Sequence, residues 1–192
     1  MQETQTTPKR SKKIASNGVI AMIMFVGCEV MFFMALISAY LIVSRGQLNW
    51  PPLDQPRLPV EMTAINSIFL MLSGYLMFIS NRKFISKQKE KATSYLFYAV
   101  LCATFFVIVQ GWEWMNLIFN GLTMFSSTYG SFFYLVIGSH ALHAFAAIIM
   151  MIYIYIQMRA GKASSSAFNT SQVFWYFVVG IWPVLYITVY LN

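Results

Sequence analysis

The chain alternates between long apolar stretches and short polar connections. Five apolar stretches stand out, at about 18–44, 62–80, 94–119, 129–158 and 171–191. Each is near or above the ~20 residues a helix needs to cross a bilayer. The ten-residue segments of alternating polarity that mark a membrane β-barrel are absent. The pattern therefore predicts an all-α fold, an integral membrane bundle of five transmembrane helices.

Composition agrees. Of 192 residues, 58% are hydrophobic, 17% aromatic and only 10% charged, against about 25% charged in soluble domains. So few charges cannot coat a soluble domain, which argues against a soluble enzyme, a secreted module or a disordered chain. The net charge of +7 raises the question of a nucleic-acid partner. The basic residues lie between apolar blocks instead of along one face, so none is expected.

Their distribution sets the expected orientation. Eleven of the 13 Lys and Arg residues fall in the N-terminal tail (Lys9, Arg10, Lys12, Lys13), the second connection (Arg82 to Lys91) and the fourth (Arg159, Lys162). The alternate side has only Arg45 and Arg57. By the positive-inside rule the N-terminus is cytoplasmic and Asn192 lies outside. Residues 1–13 read as a disordered cytoplasmic tail with no cleaved signal, because the apolar block that follows is too long for an h-region. Residues 14–192 read as a single five-helix membrane domain. The external loop 45–61 holds Trp50, Pro51, Pro52, Pro56 and Pro59, a stiff, extended crossing.

Ionisable groups inside the membrane are costly, so they are the informative residues. Four qualify: Glu29 in the first helix, Glu113 in the third, and His140 and His143 in the fourth. Gln110 lies one turn before Glu113 on the same face. If helices three and four are neighbours, Glu113 and the two histidines can meet at similar height. Two histidines and two carboxylates could hold a metal. However, bundle di-metal sites use more carboxylates and a Glu-x-x-His pair on each of two helices, whereas here His-x-x-His occurs once. A second reading is a proton relay through Glu29, since desolvation favours the neutral form of a carboxyl. The third, and favoured, reading is structural: buried polar groups bonding across helices and fixing their register.

No Gly-rich loop, nucleophile elbow or Cys-x-x-Cys pair is present, so no catalytic residue and no metal ligand is assigned. Cys28 and Cys102 lie inside apolar blocks and read as packing residues. Trp50, Trp112, Trp114 and Trp175 fall near the mapped outer interface or a helix end, and are expected at lipid or subunit contacts. Ala35 with Ala39, and Ala99 with Ala103, permit close helix approach.

Several motifs carry a family resemblance, extending over about 18–191. Phe25-Val26-Gly27-Cys28-Glu29-Val30-Met31-Phe32-Phe33 is similar to the segment of haem-copper terminal oxidase subunit III (of cytochrome c oxidase and its quinol-oxidase relatives) in which a glutamate precedes a hydrophobic-Phe-Phe run. Trp50-Pro51-Pro52 resembles its Trp-Pro-Pro loop, with Asn66, Ser73 and Gly74 at matching places in the next helix. Gln110-Gly111-Trp112-Glu113-Trp114 resembles its Gln-x-x-Glu-aromatic signature. Tyr129-Gly130-Ser131-Phe132-Phe133 and Gly138-Ser139-His140-Ala141-Leu142-His143 resemble its Tyr-Gly-Ser-x-Phe-Phe and Gly-x-His-x-Leu-His block.

The resemblance implies a five-helix bacterial form of the subunit, without two N-terminal helices of longer members. It implies an accessory, non-redox chain in the bacterial inner membrane, with haem and copper carried by partner subunits. The complex would pass electrons from cytochrome c or quinol to oxygen and pump protons. This chain would pack on subunit I (with subunit II or small subunits in the complex), bind phospholipid and support proton uptake. Glu29 would stand at the family's buried, protonatable glutamate, and Gln110, Glu113, His140 and His143 in its structural polar cluster. The chain departs from the family where many members read Trp-His-Phe-Val-Asp. It has Trp175-Tyr176-Phe177-Val178-Val179 there, so a histidine and an aspartate are replaced, and the Tyr176 hydroxyl is a candidate substitute. That departure leaves open a subunit of the kind associated with nitric-oxide reductases. Two further classes compete with the oxidase reading: a small transporter, disfavoured by the lack of a broken helix pair, and a metal-binding membrane protein.

Overall fold

A computed structural model describes residues 16–52 and 55–191, and the tail expected at 1–13 lies outside the described residues. Among the described residues there are five helices and no strand: α1 (Asn17–Arg45), α2 (Val60–Ile85), α3 (Lys89–Phe119), α4 (Thr128–Arg159) and α5 (Ser165–Tyr190). All five are long and apolar enough to cross a membrane. The helices outrun the apolar stretches most at the N-termini of α3 and α5 and at the C-terminus of α2. Hydropathy reads only the part in hydrocarbon. The Lys89-Glu90-Lys91 turn of α3 adds a polar turn beyond it, and Ser164 starts α5 early by accepting from the Ala167 N–H at 3.1 Å.

The buried faces explain the packing. On α2 the buried positions are Thr63, Asn66, Leu70, Ser73, Gly74, Met77 and Ser80. On α3 they are Ala92, Leu96, Ala99, Ala103, Phe106, Gln110, Glu113 and Leu117. Both follow alternating three- and four-residue steps, which keeps one stripe turned to an antiparallel neighbour. Ala99 and Ala103 are fully buried there and let the backbones approach. Cross-helix bonds fix the pair: Asn66 Nδ2 donates to the Phe106 carbonyl at 3.0 Å and Ser80 Oγ to the Ala92 carbonyl at 2.8 Å. Ala35 is instead exposed and Ala39 half-buried, so that second small pair does not mark an internal contact.

Helix α5 touches α1, α2 and α4, while α3 packs on α2 and α4. Helix α1 lies outermost against α4 and α5, burying only Phe33, Ile37, Tyr40 and Ser44. Its remaining surface is apolar, with Ile23, Met24, Val30, Met31 and Met34 exposed. At one end of the bundle Ser166 Oγ donates to Ser16 Oγ at 2.6 Å, joining the starts of the parallel helices α1 and α5. At the other, Gly121 closes α3 with a positive φ of 91°, and the Leu122 N–H returns to the Leu117 carbonyl at 2.9 Å.

Candidate functional site

The polar residues of the membrane interior separate into two groups at different depths. Glu113 lies six residues from the end of α3, about 9 Å along the axis at 1.5 Å per residue. His143 lies fifteen residues into α4 from the same end, about 22 Å deep. The expected meeting of Glu113 with both histidines therefore does not occur.

The deeper group is a pair. His143 Nε2 lies 2.9 Å from Glu29 Oε2, joining α4 to α1. The other ring nitrogen, Nδ1, lies 2.7 Å from the Ser139 carbonyl one turn earlier. A carbonyl only accepts, so Nδ1 carries a hydrogen. The Nε2–Oε2 contact then holds one further proton, on the carboxyl or on the imidazole. Phe33, Phe174 and Phe177 pack around the ring, with centroids 5.3 to 6.3 Å away. The pair is partly open, with side chains 14% (His143) and 18% (Glu29) exposed.

The shallower group spans three helices. Glu113 Oε2 accepts from Thr63 Oγ1 of α2 at 2.8 Å and from Gln110 Nε2 at 2.9 Å. Gln110 Nε2 also donates to the Tyr190 hydroxyl of α5 at 3.1 Å. His140 stands apart from these bonds. Its ring lies 4.9 Å from that of Trp182, whose Nε1 donates to Ser67 Oγ of α2 at 2.7 Å. Three residues separate His140 from His143, which turns them about 60° apart on α4. One faces α3 and α5, the other α1.

Thr63, Ser67 and Tyr190, which sequence reasoning did not single out, complete this network with Trp182, a tryptophan whose position reads as an interface or helix-end anchor but which is buried. A periodic signal did exist: Thr63, Asn66, Ser73 and Ser80 repeat the three-and-four spacing on an otherwise apolar helix. Among the described residues, no group of three or more His, Cys, Asp or Glu side chains is placed to hold a metal ion.

The tryptophans expected at lipid or subunit contacts differ in their placement. Trp112 is exposed, as an interfacial anchor would be. Trp50 turns inward, donating to the Tyr40 hydroxyl at 3.1 Å and packing edge-on to Tyr129, which ties the Pro-rich loop to α1 and α4. Trp114 is half-buried against Tyr134. Trp175, expected at a lipid or subunit contact, is fully buried. Helix α5 is surrounded by α1, α2 and α4, so a residue on it that looks interfacial by position can still point into the core.

At the family departure, Gln172 Nε2 donates to the Tyr176 hydroxyl at 2.7 Å, and Gln172 Oε1 accepts from Asn81 of α2. Tyr176 and Gln172 thus form a polar link from α5 to α2. Val179, where the family's aspartate would stand, packs on Gly74.

The fold and its polar network define a multi-pass helical membrane protein whose intramembrane polar groups largely bond helix to helix. The sequence matches the family model of cytochrome c oxidase subunit III over residues 1–192. It is 30% identical over 183 residues to the probable cytochrome c oxidase subunit 3 of Nocardia farcinica, covering 89% of this chain and 86% of that one. Similarity to the corresponding protein of Mycobacterium leprae is 30% over 180 residues, with 89% and 86% covered. To the sea-urchin Paracentrotus lividus cytochrome c oxidase subunit 3 it is 28% over 187 residues, with 92% and 70% covered. The chain belongs to the cytochrome c oxidase subunit III family, and is an accessory subunit of a multi-subunit haem-copper oxidase complex.

Proposed function

We propose that this chain stabilises the catalytic subunit I of a bacterial inner-membrane oxidase, holds phospholipid beside it and helps sustain proton uptake from the cytoplasm. The complex reduces oxygen with electrons from cytochrome c or quinol and pumps protons, with haem and copper in the partner subunits and no catalytic centre here. The observation that carries this reading is the Glu29–His143 contact, a carboxyl and an imidazole 2.9 Å apart that join α1 to α4 in an aromatic surround. A partly open pair of this kind can exchange a proton without lying on an obligatory path. The wide apolar face of α1 supports it too, since that surface suits lipid or a partner subunit. Nocardial and mycobacterial relatives support the bacterial membrane, and the basic connections support a cytoplasmic N-terminus.

The test is a reduced-minus-oxidised optical spectrum of whatever co-purifies with a tagged chain in mild detergent. Haem bands in fixed ratio to the chain are expected, and their positions narrow the class of oxidase. A chain that purifies without haem, under conditions that keep such complexes together, overturns the proposal.

A further inference from the structure

A groove of about 550 Å³ lies between the start of α3 and the end of α4, at the end of the bundle that carries the basic connections. Small-molecule sites run from about 300 to 1,000 Å³. The lining is ordered along the helix axes. Lys89 and Glu90 of α3 and Arg159 of α4 stand at the mouth, with Thr93 and Ser94 one turn further in. Phe97 and Tyr98 follow on α3, about 12–14 Å along the axis from Lys89. The Tyr155 ring of α4 lies 5.6 Å from that of Phe97, which closes the groove across the two helices. Polar groups thus line the end toward the membrane surface and aromatic groups the part toward hydrocarbon. That is the order of an amphiphile.

The polar groups divide by what they can still do. Arg159 Nη1 donates to the Tyr155 hydroxyl at 3.3 Å, which leaves the rest of its guanidinium fork free. The Lys89 ammonium only donates. Thr93 Oγ1 and Ser94 Oγ give their hydrogens to the Lys89 and Glu90 carbonyls, at 2.8 and 3.1 Å, so toward a ligand they accept, as Glu90 does. Among the described residues, Lys89, Glu90 and Arg159 take part in no ion pair. The two cations suit a lipid phosphate, and basic pockets between membrane helices are used in this way. The carboxylate and hydroxyl oxygens suit a headgroup that carries N–H donors, which ethanolamine has and choline lacks.

We propose that this groove seats one phospholipid of the ethanolamine type. Its phosphate lies at Lys89 and Arg159, its ammonium at Glu90, and one acyl chain runs along Phe97, Tyr98 and Tyr155. The inference rests on the phospholipid part of the proposed function and gives it a place, on α3 and α4 instead of the apolar face of α1.

The experiment is native mass spectrometry of the intact complex, re-equilibrated with lipids that share their acyl chains and differ in headgroup: ethanolamine, choline or glycerol. Preferential retention of the ethanolamine lipid is expected, with one copy fewer in the double variant Lys89→Gln, Arg159→Gln. Glu90→Gln should lower ethanolamine retention to the level of choline. All three positions are exposed, so the variants should assemble, which haem per chain verifies. An electron cryo-microscopy map should show two-tailed density between α3 and α4. Equal lipid counts with and without the two cations, no preference for ethanolamine, or a protein segment in the groove overturns the proposal. A complex that keeps its haem but gives one of these results overturns this inference alone. A chain without haem overturns the subunit reading, and its own lipid counts still decide this one.

Discussion

Glu29 and His143 are 114 positions apart in the chain and meet at 2.9 Å, joining the outermost helix to the bundle. Little else polar does so at that depth. The nearest comparable bond of α1 is at its start, between Ser16 and Ser166. Glu29→Gln keeps both a donor and an acceptor facing Nε2, so assembly should survive with at most a modest loss of oxygen-reduction turnover. Glu29→Ala leaves Nε2 unpaired, and a double-mutant cycle with His143→Ala should return a coupling of about 1 kcal/mol, the scale of bonds inside membranes. A coupling near zero in the melting of the assembled complex would make the contact incidental. Complete loss of turnover in assembled Glu29→Gln would show that the proton held here is obligatory.

How much of this was legible beforehand depends on what kind of information each feature needs. The spanning helices follow from runs of apolar residues, which any bilayer-crossing segment must have, so all five could be placed. Pairing was less accessible. Glu113 and His143 sit on neighbouring helices and both look central, but about 13 Å of depth separates them, and depth depends on how far each helix extends past the hydrocarbon. Trp175 shows the other limit: its place near a helix end resembled an anchor, and only the neighbours of α5 decide that it faces inward.

The closeness of α2 and α5 rests on Gly74. A Cβ there would lie 3.1 Å from Val179 Cγ1, tighter than ordinary contact. Gly74→Ala should therefore destabilise slightly, and Gly74→Val by about 1–3 kcal/mol as overpacking. Val179→Ala alone removes partly buried methyl groups and should also cost some stability. Combined with Gly74→Val it should restore most of the loss, because the new methyl groups fill the space vacated. Thermal melting of the four complexes measures this. Additive losses would mean that the two helices do not depend on this contact.

Among the described residues, Thr63 is the one donor that reaches Glu113 from another helix. Thr63→Val preserves shape but removes the hydroxyl, leaving Oε2 with Gln110 alone. The expected cost is about 0.6–1.7 kcal/mol, while Thr63→Ser should be close to native. If Val and Ser behave alike in melting of the complex, the methyl group and not the hydrogen bond is what matters at this position.

The glycines give the sharpest contrast, because the same substitution should act in opposite directions. A Cβ on Gly130 would run into the Thr123 backbone carbonyl, in the turn between α3 and α4, and would also crowd Ser126 Oγ. A backbone carbonyl cannot rotate aside as a side chain can. The same turn is held by Ser127 Oγ, which accepts from the Gly130 N–H at 3.0 Å to cap α4. Gly130→Ala should therefore displace the turn, at a cost of at least about 1–3 kcal/mol. Gly27, in the middle of α1, has nothing within 4 Å of an added Cβ. Gly27→Ala should be neutral or stabilising by up to about 1 kcal/mol, since alanine loses less backbone freedom in a helix. The comparison is made by melting each complex and by counting haem per chain after purification. A Gly130→Ala complex as stable as native would mean that the α3–α4 turn tolerates another path. A strongly destabilised Gly27→Ala would reveal a partner subunit seated against that face of α1.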